Sequence, residues 1–289
     1  MSKYVVSFIL FFSGLSAAQD VSHPFAVFDL ASEPVLNDPH DLAIGPDGHL
    51  YVADKFGNRI AVFNAQTLEL VEMLGEGNLP SVHDISFGRN GRVAIAVTGA
   101  SVVAVYSDVG DAGEQPDEVL AAPRTEGVLI HSNGNIYAMA SGAGVVLAYE
   151  NGQIVNAAEG HPGAHDIAED LQGNIWVADS SFHRLVKYSA DLKLLQVIDH
   201  SRFGFLGPRY LDVDDFGRLV VADQDAHRIL LIDPEGADGG TLLGVLGDGI
   251  AGLGPNKFDD PEGVAVKGNH YYIADSDNNR IVRYSIVLY

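Results

Sequence analysis

The sequence predicts an all-β fold: a six-bladed β-propeller of four-stranded blades, closed by an N-terminal strand that completes the last blade. Three observations lead there. One unit recurs six times, starting at His40, His83, Glu126, His165, Arg209 and Glu262, at spacings of 43, 43, 39, 44 and 53 residues. Each unit holds three short apolar runs, and the first five units are followed by a fourth run: "LELVEML", "EVLAAP", "QIVNAA", "LKLLQVI" and "TLLGVLG". Four short strands in a unit of about 40–45 residues is the pattern of a propeller blade. Runs such as "LYVA" and "RLVVA" are apolar on both faces. That suits a sheet packed between two others, not one with a wet face.

The elements follow in order. Lys3, the apolar "VVSFILFFSGL" and the small residues Ser16-Ala17-Ala18 read as a secretory signal peptide over residues 1–18. The apolar run is shorter than the roughly 20 residues of a membrane span. The expectation is a secreted or periplasmic protein with no membrane span in the mature chain, residues 19–289. "FAVFDLA" supplies the strand missing from the sixth unit, which ends after three, and so protects the sheet edges. In the first unit, "PHDLAIGPDGHLYVAD" is strand, turn, strand: Pro46 fixes φ, Asp47 bonds its own backbone, and Gly48 takes positive φ. The other five units repeat this plan. The last interval is long because "GDGIAGLGPNKFDD" inserts a Gly-rich loop.

Composition narrows the function. There is no cysteine, so an exported chain has no disulfide and a metal site must use His, Asp or Glu. A net charge of −22 argues against nucleic acid or an anionic membrane as partner. G-x-S-x-G, P-loop and H-E-x-x-H motifs are absent.

"LYVADKFGNRIAVF", "IWVADSSFHRLVKY", "LVVADQDAHRILLI" and "YYIADSDNNRIVRY" resemble NHL repeats. Four Asp-Arg pairs recur in them: Asp54 and Arg59, Asp179 and Arg184, Asp223 and Arg228, Asp275 and Arg280. A charge pair repeated in four blades most simply ties the second strand to the turn before the third. The second and third units lack it. Trp176 reads as blade packing, and His131, His161, His183, His200, His227 and His270 fall in turns and loops, most of them solvated.

The first strand of a blade lies nearest the axis, so its opening residues face the channel mouth. There the six units place His40, His83, Glu126, His165, Arg209 and Glu262. Half-buried polar groups are costly unless paired or ligated. Two readings follow. Alternate blades could form a metal trio of His83, His165 and Glu262, suited to zinc or another divalent transition metal, with His40 beside it. Alternatively the ring satisfies itself, with His–Glu bonds and a Glu126–Arg209 pair. Asp41, Asp84 and Asp166 directly follow the histidines and could reach a central calcium ion or bond the next blade's backbone.

"DPHDLAIGPDGHLYVADKFGNRIAVF" resembles the blades of the peptidyl-α-hydroxyglycine α-amidating lyases. That resemblance implies zinc on histidines at the His40, His83 and His165 position and a calcium ion nearby. Here the histidines fall on blades 1, 2 and 4, not on three alternate blades, so Glu262 stands in for one of them. The family's tyrosine and arginines are not cleanly matched; Lys55 lies where one arginine would be. The function expected is a metal-dependent lyase or hydrolase for a small carboxylate-bearing or peptide-derived substrate. Arg209 would pair the substrate carboxylate, Lys55 or Tyr210 would assist proton transfer, and His40 would orient water or substrate. The competing expectation is a non-catalytic platform for a peptide or protein partner.

Overall fold

Turn residues cut the chain into strands of four to seven residues, and each group of four folds back on itself before the next begins. The computed structural model of the protein describes residues 25–287 and shows six four-stranded antiparallel sheets. In chain order the first strands of the blades are Pro39–Ile44, Val82–Phe87, Thr125–Ile130, Asp166–Glu169, Pro208–Val213 and Pro261–Lys267. They contact one another in that sequence, and the sixth contacts the first, so the ring is closed. The proposed signal peptide lies outside the described residues. Among the described residues no helix is long and apolar enough to cross a membrane.

The closing strand is as the sequence predicts. Ala26–Ala31 pairs antiparallel with Arg280–Ile286, so blade 6 is built from both ends of the chain. The second strands are buried at every position in blades 1 to 5, for example Leu50–Asp54 and Val93–Val97. They pack into six apolar clusters, one in each interface between neighbouring blades. Each Val, Ile or Leu fully buried there contributes roughly 1.5–3 kcal/mol. Trp176 belongs to the cluster between blades 4 and 5, as packing.

Because strands alternate in direction, three features share one face: the start of each first strand, the turn after each second strand, and the loop from blade to blade. We call it the mouth face. The Asp-Arg pairs lie there. Arg Nε donates to Asp Oδ2 at 2.7 Å in blades 1 and 4 and 2.8 Å in blades 5 and 6. In blades 1, 5 and 6 the other carboxylate oxygen accepts a backbone N–H from the entering loop: Asn37, Leu206 with Gly207, and Asp259. Blade 4 departs: Asp179 Oδ1 has no partner, and Oδ2 instead meets the imidazole of His161 at 3.0 Å. His161 and His131 are therefore buried, unlike the solvated turn histidines the sequence suggested; His131 Nε2 meets the Gly173 carbonyl at 3.1 Å.

Candidate functional site

The recurring "HD", "EG" and "RY" pairs sit at the start of the first strands. In five blades the register with the second strand slips there: between Pro39 and Leu42, Val82 and Asp84, Thr125 and Gly127, Pro208 and Tyr210, and Pro261 and Val264. A β-bulge places an extra residue and re-aims side chains. His40, His83, Glu126, Arg209 and Glu262 fall within these bulges. In blade 4 His165 precedes the regular strand, its N–H bonded to the Ala178 carbonyl at 3.0 Å.

The six residues form a mouth layer in two halves. In one, His83 Nε2 lies 2.9 Å and His165 Nε2 3.9 Å from Glu126 Oε2. In the other, His40 Nδ1 lies 2.7 Å from Glu262 Oε2, and His40 Nε2 lies 3.4 Å from Asp38 Oδ2. Gln224 donates to Glu262 Oε1 at 2.7 Å, Arg209 approaches that oxygen at 3.7 Å, and Lys55 Nζ bonds Asp38 at 2.9 Å. The His40 and His83 rings touch across the halves, 4.4 Å between centroids.

Immediately below lies a second layer: Asp41, Asp84, Gly127, Asp166, Tyr210 and Gly263. Tyr210 is fully buried and crosses the axis from blade 5, its hydroxyl 3.3 Å from His40 Nδ1 and 3.5 Å from the His83 carbonyl of blade 2. The two glycines answer a close approach. A Cβ at Gly127 would stand 2.6 Å from the His165 carbonyl oxygen, and one at Gly263 2.3 Å from that of His40. The three aspartates converge and together could hold one ion. Asp84 also accepts the Val128 N–H and Asp166 the Leu211 N–H at 2.9 Å, so both bond the next blade's backbone. Beneath them a cavity of about 500 Å³ extends between the first strands toward the opposite face, where Arg89 and Ser132 border it.

Charge explains how each group is held. Burial alone would lower His40, but the Glu262 and Asp38 carboxylates outweigh it and raise its pKa. Burial would raise Glu262, yet His40 and Arg209 bring it below its usual value. Glu126 is likewise buried but held at about 2, chiefly by its contact with His83. His165 is depressed to about 3, first by burial and then by Arg209. In the lower layer burial dominates: Asp84 rises to about 6, and Asp41 and Asp166 rise well above the usual carboxylate range. Burial also drives the Tyr210 phenol well up.

The structure divides the expected trio. His83 and His165 share Glu126, while Glu262 stands with His40 in the other half. Among the described residues, two groups on the mouth face could share an ion: Asp38, His40 and Glu262 in the mouth layer, and the less buried His227, Asp259 and Asp260. The expected Glu126–Arg209 pair is not formed. Blades 3 and 5 are not neighbours, so Arg209 meets Glu262 of blade 6, and Glu126 meets Arg124 of its own blade at 3.5 Å. Asp38 and Gln224 were missed by the sequence reasoning, and Ser180, which follows its "AD" motif as Lys55 does, was given no role there. The signal available was position: Asp38 precedes "PH", and Gln224 and Ser180 directly follow the "AD" motif.

Comparison with known proteins bears on the fold. The NHL repeat family model matches residues 36–63 and 258–284, within blades 1 and 6, so the chain carries NHL repeats in a six-bladed propeller. It is 35% identical over 89 residues to NHL repeat-containing protein 2 of Gallus gallus, a match covering 29% of this chain and 12% of that protein. Selenomethionine-substituted virginiamycin B lyase from Staphylococcus aureus superposes with a TM-score of 0.64 at 13% identity, over 87% of this chain and 96% of that one. The PQQ-bound aldose sugar dehydrogenase from Streptomyces coelicolor gives a TM-score of 0.63 at 14% identity, over 91% and 98%. At such identities the two likenesses speak for the fold alone.

Proposed function

We propose that the mouth is an active site, and that this NHL propeller is a metal-dependent lyase or hydrolase for a small carboxylate-bearing or peptide-derived substrate. One observation carries the reading. Among the described residues, three buried atoms of the mouth layer make no well-aligned hydrogen bond: Arg209 Nε, which has no partner, and His40 Nε2 and Glu262 Oε2, which have only the ion-pair approaches to Asp38 at 3.4 Å and to His40 Nδ1 at 2.7 Å. Buried polar atoms left without a good partner call for an explanation, and a bound ligand supplies one here.

His40, fully buried between two carboxylates, calls for a positive charge: a proton on its ring or a divalent ion beside it. The imidazole and carboxylates of His40, Asp38 and Glu262 suit zinc or a similar transition metal. Such an ion, when bound, would polarise a substrate carbonyl. Arg209, with an unpaired Nε, would hold the substrate carboxylate. Tyr210 keeps its proton at neutral pH; it points that proton at the His83 carbonyl, and its oxygen stands beside His40 Nδ1, whose own hydrogen faces Glu262, so it would act as a proton donor toward substrate. Lys55, fixed by Asp38, would steady charge at the same edge. Below Tyr210, the oxygen set of Asp41, Asp84 and Asp166 suits calcium.

Metal analysis and titration of the purified protein test this. The expected result is one transition-metal ion, lost in His40→Ala and Glu262→Ala, and a calcium ion lost in Asp84→Asn. A parent protein that binds no divalent ion sinks the metal reading. We further propose that residues 1–18 direct export; N-terminal sequencing of exported protein beginning at Gln19 would bear this out. A second reading, a platform for a peptide or protein, draws support from exposed Phe56, Phe182, Leu206, Ile250 and Leu253 on the mouth face. Peptide binding that survives loss of every mouth-layer histidine, in a protein with no turnover, would favour it.

A further inference from the structure

The residue following each second strand lies beside the mouth: Lys55, Thr98, Ser141, Ser180, Gln224 and Ser276. Three of the four hydroxyls there have a plain task. Thr98, Ser141 and Ser276 each donate to a backbone carbonyl at the entrance of the next blade, on Thr125, Ala164 and Pro39. Ser180 differs. Its hydroxyl donates to the Gly163 carbonyl at 2.9 Å, and its Oγ also lies 2.8 Å from His165 Nδ1, both in its own blade. The far side of the same imidazole faces Glu126, Nε2 to Oε2 3.9 Å. Hydroxyl, imidazole and carboxylate thus stand in a row, with the last contact loose, as base contacts commonly are before substrate is bound.

The backbone of this turn differs as well. In the other five blades an N–H at the turn bonds a carbonyl of the entering loop: Lys55 to Asp38, Gly99 to Pro80, Gly142 to Pro123, Gln224 to Gly207, and Asp277 to Asp259. Blade 4 has no such bond, and among the described residues the N–H groups of Ser180 and Ser181 meet no acceptor outside the turn. His161 makes this possible, since it ties the entering loop to Asp179 and Tyr188 by its side chain. Two amide donors are left next to Oγ in the chain. A tetrahedral oxyanion requires donors of this kind.

We propose that Ser180 is a nucleophile, His165 its base and Glu126 the group that orients the base, giving the mouth a serine acyl-transfer activity toward ester or activated amide carbonyls. The proposal rests on the reading of the mouth as an active site and names the bond it breaks. Ser180 Oγ bonds the carbonyl carbon while its proton passes to His165 Nδ1. The tetrahedral adduct collapses, the carbon–heteroatom bond breaks, and the leaving group takes that proton. Water then attacks the acyl-serine, giving its proton to His165, which returns it to Oγ. No oxidant or reductant is needed; the tautomer required carries its hydrogen on Nε2, toward Glu126, and the Ser180 hydroxyl turns its hydrogen from the Gly163 carbonyl to Nδ1 before it attacks.

The test is labelling of the full protein with diisopropyl fluorophosphate at pH 7.5, with and without EDTA, and location of the adduct by mass spectrometry. The expected result is a single phosphoryl group on Ser180 in both arms. Ser141→Ala and Ser276→Ala should label like the parent, and His165→Gln should label at least about 100-fold more slowly. With p-nitrophenyl acetate the parent should release one equivalent of nitrophenol in a burst that Ser180→Ala lacks. Because the adduct is located in the parent, the result does not depend on a variant folding. No adduct on Ser180 under conditions that label a known serine hydrolase overturns the proposal, as does equal labelling of His165→Gln. Labelling without any bound ion would sink the metal reading and leave this one standing; a bound ion with an unlabelled Ser180 would do the reverse.

Discussion

The two layers on the axis solve the same problem in opposite ways. The mouth layer mixes three imidazoles, two carboxylates and a guanidinium, and each acid there has a base within reach. The layer beneath gathers three carboxylates with no base among them, so protons or a cation must settle their charge. Both layers arise from adjacent residues, at the bulges of five blades and at the strand start in blade 4. The difference teaches that burial of charge is tolerable where signs alternate, and otherwise marks a place that needs something from outside.

The strongest way to break the comparison is to remove one acid from each layer. Glu262→Ala leaves His40, Arg209 and Gln224 without their shared partner. Breaking a buried pair from one side costs about 3–5 kcal/mol, to be read by denaturant unfolding. Asp84→Asn should do the opposite. In metal-free protein at pH 7 it removes a carboxylate held near pKa 6 against about 3.9 unfolded, and should stabilise by about 1–3 kcal/mol. Stabilisation in Glu262→Ala, or loss in Asp84→Asn, would erase the distinction.

A smaller effect sharpens it through pH. The folded pKa of His165 is about 3 against about 6.5 unfolded, so its contribution is present above pH 6.5 and is lost as pH falls. The folded pKa of Asp84 lies above its unfolded value, so its contribution is full below about pH 4 and is lost as pH rises through about 6. Between pH 4 and 6 the two slopes oppose each other, each about 1.4 kcal/mol per pH unit at most. Asp84→Asn should therefore tilt stability upward with pH in that window, and His165→Gln should tilt it downward. Thermal unfolding across buffers reads both, and parallel curves would contradict the assignment. The smallest effect is Arg124→Ala, whose mostly exposed side chain reaches Glu126 at 3.5 Å. Such a pair is worth about 0–1 kcal/mol.

The sequence made the architecture legible because a blade repeats its turn chemistry and its apolar runs. Even "FAVFDLA" as the closing strand could be read, since the last unit is one strand short. The identities of the mouth residues were legible too, from their alignment at the head of each unit. Their partners were not. Whether Arg209 meets Glu126 or Glu262 depends on which bulges face each other, a matter of blade order and side-chain reach. Tyr210 lies beside the ring in sequence, but that its side chain crosses the axis to His40 and His83 depends on how the blades face one another. Asp38 and Ser180 lie outside the aligned position, where repetition gives no hint that one blade differs.

The closure of blade 6 has a mechanical side. Ala26, at the head of the closing strand, pairs with Ile286, near the chain's other end. The described residues thus enter and leave the ring at one corner, in antiparallel strands. Tension applied between them loads the ladder one hydrogen bond at a time, as in unzipping, instead of shearing all of them together. A ring that resists heat through six apolar interfaces should therefore open at low force when pulled by its ends, and blade 6 should part first.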